Sequence, residues 1–160
     1  MSINNIEGNT KPTYAKVGIV VSRWNSSITE RMLNGAIKAL NGNGISDGDI
    51  VVARCPGSFE LPLAVKSLLE SRDLDGVIAL GVVIRGGTPH VEYVCDAVTT
   101  GITNLNLSTG KPIAFGVLTT DDTKQALERV ADKGNKGAEA ALAVLEMISL
   151  QQELNKWKHF

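Results

Sequence analysis

The segment Arg85-Gly86-Gly87-Thr88-Pro89-His90 carries the residue types of this chain best suited to chemistry. It gathers a guanidinium, two residues without side chains, a hydroxyl and an imidazole at the end of an apolar run, Val77–Ile84. Glycines let the main chain approach a ligand closely. Unpaired N–H groups at a helix start attract anions. Thr88 is placed to cap a helix whose pattern begins at Val91, with Pro89 in the first turn, where no N–H is needed. His90 can exchange protons near neutral pH. An ordinary strand-to-helix turn with a capping Thr and a polar His explains the same residues, and the segment alone leaves both readings open.

Position decides between them, so the elements that present the segment matter. Val77–Ile84 has the continuous apolar character of a strand buried on both faces of a parallel sheet. Lys16–Ser22, Asp49–Arg54 and Pro112–Leu118 give three further strands. Between them, Ile28, Met32, Leu33, Ala36, Ile37 and Leu40 recur at helical spacing, as do Leu63, Ala64, Leu68 and Leu69, and Val91, Val94, Cys95, Val98 and Ile102. Ser27 with Glu30 forms a capping-box pattern, and Asn41-Gly42-Asn43-Gly44 ends that helix. Pro62 falls in a first turn, where it is tolerated. Thr119-Thr120-Asp121-Asp122 caps a helix over Thr123–Ala131; a loop, Asp132–Gly137, leads to a last helix from Ala138 to Trp157.

Alternating strands and helices predict an α/β three-layer sandwich: a four-stranded parallel sheet with helices on both faces, in flavodoxin-like order. Right-handed crossovers bring the C-terminal end of every strand to one edge. That edge collects Trp24-Asn25, Gly57-Ser58-Phe59-Glu60, Arg85–His90 and Thr119–Asp122, where open α/β sheets bind ligands. Trp24, directly after a strand, suits stacking on a planar ring, and equally a rim position. Glu60 near a helix start satisfies the helix dipole or grips sugar hydroxyls. Arg129, late in a short helix, is a solvated charge or a phosphate fork. Lys133 and Lys136 read as loop charges.

Composition narrows the classes. The 160 residues suit one domain, residues 16–160, preceded by an N-terminal arm, residues 1–15, whose polar start, Met1–Lys11, is expected to be disordered or partner-dependent. A net charge of −1 argues against nucleic-acid binding. Cys55 and Cys95 lack zinc-site spacing and suit a reducing, cytoplasmic setting. No run reaches membrane-spanning length, and no metal-ligand cluster, dinucleotide turn, P-loop or nucleophile elbow emerges. The last helix is apolar nearly all round, which predicts burial on several sides and contact between subunits.

Taken together, these features resemble those of the lumazine synthase family. The resemblance rests on VSRWN (Val21–Asn25), PGSFELP (Pro56–Pro62), LGVVIRGGTPHVEYVC (Leu80–Cys95), PIAFGVLTT (Pro112–Thr120), QALERV (Gln125–Val130) and GNKGAEAALAVLEM (Gly134–Met147). These blocks are spread over nearly the whole chain after residue 15, in the family's order and spacing. The resemblance implies condensation of 5-amino-6-(ribitylamino)uracil with 3,4-dihydroxy-2-butanone 4-phosphate, with no metal and no organic cofactor. It implies Trp24 on the pyrimidine, with Asn25, Ser58, Phe59 and Glu60 lining the ribityl and ring site. Val83 and Ile84 would give main-chain contacts to the heterocycle. Gly87, Thr88 and Arg129 would hold the phosphate, and His90 would move protons. Phe115, from the adjacent subunit, and Lys136 would complete the pocket. As partners it implies further copies of the chain, as a pentamer or a 60-subunit shell of pentamers, and riboflavin synthase.

Val82 stands where many relatives carry Thr, Pro89 where a small residue is frequent, and the Asp132–Lys136 loop is one residue shorter than in several bacterial relatives. The short loop resembles shell-forming relatives. Two other classes fit parts of the pattern: a non-catalytic phosphate- or flavin-binding module, and a purely structural shell protein.

Overall fold

The structure, a computed structural model, describes residues 2–158. Among these residues four parallel strands form one sheet in the order β2-β1-β3-β4. The strands are β1 (Val17–Ser22), β2 (Ile50–Cys55), β3 (Gly76–Ile84) and β4 (Ile113–Thr120). The order matches the start of the flavodoxin order 2-1-3-4-5 but lacks its fifth strand, so it is not strictly flavodoxin-like. The α/β three-layer class is as expected. Helices α1 (Ser26–Gly42), α4 (Thr123–Glu128) and α5 (Lys136–Lys156) cover one face; α2 (Leu61–Ser71) and α3 (His90–Thr109) cover the other.

Side-chain alternation explains why β3 is apolar throughout. Ile78, Leu80 and Val82 enter the core under α1 and α5, whereas Val77, Ala79 and Val83 enter the core under α2 and α3. A strand between two helical layers has no solvent face, so period-two polarity disappears. Each buried Val, Leu or Ile among them contributes about 1.5–3 kcal/mol, which makes β1 and β3 the spine on which the edge loops are mounted.

Several local expectations change. Ser27 and Glu30 do not form a capping box. Asn25 is the N-cap of α1, in the left-handed region at φ 60°, and its carbonyl accepts from the N–H groups of Ile28 and Thr29. Glu30 instead pairs with Arg54 on β2. The α4 helix stops at Glu128 rather than Ala131, and α5 starts at Lys136, where the Asn135 side chain caps Ala138 N–H at 3.1 Å. The polar start is not loose at its end, where Asn9 and Thr10 bond Ser149 and Asn43, and the rest of the arm follows α5. Asn9 N–H donates to Ser149 Oγ, Thr13 N–H to Gln152 Oε1, and Gln152 Nε2 to the Tyr14 carbonyl. The buried face of α5 carries Ala140, Ala141, Val144, Leu145 and Ile148, while Leu142 and Met147 remain exposed in the single chain.

Candidate active site

The first group of candidate residues sits where β1 and β2 end side by side. The N–H groups of Arg23 and Trp24 both donate to the Pro56 carbonyl, at 3.1 and 2.9 Å, and this ties the two strand exits together. Trp24 is 63% exposed, and its ring lies against Gly57. Asn25 and Phe59 are exposed beside it. Ser58 is buried, and its hydroxyl donates to the Val82 carbonyl at 3.2 Å. Glu60 turns back to accept the Gly57 N–H at 3.0 Å, within a single 3-10 turn, Ser58–Glu60. Below them the Cys55 thiol donates to the Gly57 carbonyl. Burial, reinforced by the Glu60 carboxylate and opposed by Arg23, pushes that thiol up to about 11. It stays protonated near neutrality and is no nucleophile.

The second group lies on the end of β3. The β1–β3 ladder stops at Val21↔Leu80, whereas the β3–β4 ladder continues to Ile84↔Thr120. Residues Gly81–Ile84 therefore overhang β1. Val77 and Arg85 donate their N–H groups to the β4 side, at Pro112 and Thr120. By strand alternation the peptide groups of Val82 and Ile84 face the β1 side, and those of Val83 face β4. The Val82 carbonyl is taken by Ser58, and by the same alternation the peptide of Ile84 faces the open side beyond β1.

The turn after β3 differs from its expected form. Thr88 is not the helix cap: α3 begins at His90 with Pro89 in the capping position, and no side chain caps it. The fixed φ of Pro89 starts the helix without a hydroxyl partner. Gly86 and Gly87 are exposed, and nothing stands within 4 Å of where a Cβ would be at either. Arg85 is committed elsewhere. Its guanidinium bonds Glu92 on α3 and Asp121 after β4, the latter at 3.2 Å. These carboxylates strengthen the hold of Arg85 on its proton, and the Arg85 hydrogen bond keeps Glu92 below the usual carboxylate range. Half-exposed pairs add little stability; the consequence is geometric, since Arg85 links the turn before α3 to the loop before α4. His90 is exposed at the first position of α3.

A third group lies along β4. β4 is an edge strand, and Phe115 on it is 46% exposed. Arg129 and Lys136 line one groove with Phe115, of about 460 Å³, bounded by β4 and α5. Within it Arg129 bonds the Gln125 carbonyl at 2.9 Å, and Lys136 pairs with Glu139 at 2.8 Å. Trp24, Ser58, Glu60, Gly87 and Thr88 do not line this groove. Within one chain the candidates from Trp24 to His90 thus lie at the exits of β1–β3, and Phe115, Arg129 and Lys136 along β4, where Phe115 also lines a hollow with Arg85, Glu92 and Asp121.

Sequence reasoning did not find Gly57 as the seat of Trp24, Asp121 and Glu92 as the partners of Arg85, or Ser22. The Ser22 hydroxyl is buried near the Ser58 hydroxyl, beside Gly81, and makes no hydrogen bond of its own. The adjacency of β1 and β2 that creates the Gly57 contact has no signature in local pattern. Among the described residues no group of three or more His, Cys, Asp or Glu is arranged for a metal ion, and no helix is long and apolar enough to cross a membrane. The sequence from residue 14 to residue 152 matches the model of 6,7-dimethyl-8-ribityllumazine synthase. That span holds all four strands and every candidate residue above, and the chain therefore belongs to the lumazine synthase family, transferases of riboflavin biosynthesis.

Proposed function

We propose that the protein condenses 5-amino-6-(ribitylamino)uracil with 3,4-dihydroxy-2-butanone 4-phosphate to give 6,7-dimethyl-8-ribityllumazine. The aryl amine attacks the ketone and water leaves. Phosphate is then eliminated, the ribitylamine nitrogen closes the ring, and a second water is lost. None of these steps needs a strong protein nucleophile. Holding two reactants in register contributes up to roughly 7–11 kcal/mol of barrier lowering, and one proton-transferring His adds about 10²–10⁴-fold. What the chain supplies matches those needs: an exposed Trp24 face for the pyrimidine, a peptide edge at Ile84 and the Ser58–Glu60 turn beside it, and His90 at the start of α3.

The observation that carries this reading is the separation of the candidates into two sets. Arg129 and Lys136 share a groove with Phe115, so a neighbour that contributes Phe115 contributes all three. The phosphate then lies between Gly87-Thr88 of one copy and Arg129 of the next. In this reading residues 16–160 form the catalytic domain and residues 1–15 an arm. The assembly is a head-to-tail ring of five copies, either free or in a shell of twelve such rings, working in the cytoplasm with riboflavin synthase as a partner that consumes the product. The exposed Leu142 and Met147 on α5 support contact between copies. Mixing the two substrates with the protein and following absorbance of the bicyclic product tests the reaction; no product overturns it. Sedimentation in dilute buffer tests the assembly: one pentamer's mass rejects the shell, and an active monomer rejects the shared site.

A further inference from the structure

We infer that Gly57 is a positioning residue, present because its missing side chain is the seat on which the Trp24 ring rests. Gly57 has φ −135° and ψ −176°, extended backbone that any residue adopts. Conformational freedom is therefore not the reason for glycine. Its N–H donates to Glu60 and its carbonyl accepts from Cys55, and both bonds use main-chain atoms that alanine keeps. The neighbour that a side chain would meet is the indole. A Cβ at this position would stand 2.4 Å from Trp24 Cε3, 2.7 Å from Cζ3 and 3.2 Å from Cδ2.

Which group yields to such a clash decides its effect. The Trp24 main chain is tied to Pro56, but the residue is 63% exposed and its side chain can rotate. Added bulk at residue 57 lifts the ring away from the β2 exit rather than opening the core. The ring then rises into the volume that a heterocycle stacked on its outer face must occupy. Substitution here costs little stability and selectively weakens binding of the planar substrate. This role rests on the proposed stacking of the pyrimidine on Trp24, whereas the contact between the ring and Gly57 does not.

The test is Gly57→Ala, with Trp157→Phe as the background for fluorescence so that Trp24 alone reports. We expect the urea midpoint to stay close to that of the parent and Trp24 emission to shift. The KM for the pyrimidine should rise roughly fivefold or more, the low end for loss of one base–aromatic stack, and the KM for the butanone phosphate less than twofold. A phenyl ring lacks the outer edge of the indole, so in a Trp24→Phe background Gly57→Ala should raise the pyrimidine KM far less. An equal rise in both backgrounds, or unchanged emission and KM, overturns the proposal. Trp24→Ala with an unchanged pyrimidine KM overturns the stacking reading and the functional role of Gly57 with it. An impaired Trp24→Ala beside an unimpaired Gly57→Ala overturns the role of Gly57 alone.

Discussion

Gly137 in the first turn of α5 lies so close to α1 that an added Cβ would stand 2.0 Å from the Met32 carbonyl oxygen. Both partners are backbone, and α1 is held at this crossing by Asn135, whose side chain donates to the Arg31 carbonyl at 3.1 Å. Neither helix can yield without moving the other. Gly137→Ala should therefore destabilise the protein by about 3 kcal/mol, the upper range for overpacking, read as a lower urea midpoint. Met32→Ala should not restore it, because the obstructing atom belongs to the main chain. A midpoint unchanged by Gly137→Ala would mean that the helices separate easily.

His90 opens α3 directly after the exposed Gly86–Pro89 turn. His90→Ala should slow turnover by roughly 10–10³-fold, near the range for one general acid–base group. Binding of either substrate should change much less. The rate across the pH range is the decisive measurement: a variant with the parent's rate at every pH removes His90 from proton transfer.

Arg129, the C-cap of α4, uses one guanidinium nitrogen on the Gln125 carbonyl of that helix, which leaves further donors for a planar anion. Arg129→Ala should raise the KM for the butanone phosphate far more than that for the pyrimidine. Inorganic phosphate should compete with the former in the parent and poorly in the variant. Equal effects on both KM values would place the phosphate elsewhere.

Cys55 gives the protein an alkaline weakness. The thiol titrates at about 11 in the fold against an ordinary 9.0. Above the ordinary value the unfolded chain releases this proton while the folded chain keeps it, so rising pH favours unfolding. The contribution of Cys55 is complete below pH 9 and is lost progressively towards pH 11. Urea midpoints measured across that window should fall less steeply for Cys55→Ala than for the parent. Parallel slopes would show that other groups carry the alkaline loss.

The strands and their order along the chain were legible because Val17–Ser22 and Gly76–Ile84 are apolar enough to leave no other reading. Strand ends were less so. β4 runs to Thr120, two residues past the expected Leu118, because Thr119 and Thr120 pair with Val83 and Ile84, and polar residues at a sheet's end read as loop. The Ser27–Glu30 box failed for a related reason: Glu30 finds Arg54 on a neighbouring strand, and a local pattern cannot weigh a partner 24 positions away. Trp24, Ser58 and His90 could be picked out by their place after strands. The grouping of Phe115 with Arg129 and Lys136 could not, since it depends on β4 being an edge and on α5 crossing behind it.

Gly57 and Gly137 are both too crowded for a Cβ but answer to different judges. At residue 137 the obstruction is main chain, so alanine there damages the protein in any assay of solubility or heat resistance. At residue 57 the obstruction is a hinged ring, so alanine yields protein that purifies and melts normally. A variant library enriched only for well-behaved protein would discard the first lesion and keep the second, and its survivors would include enzymes with an intact scaffold and a displaced aromatic face.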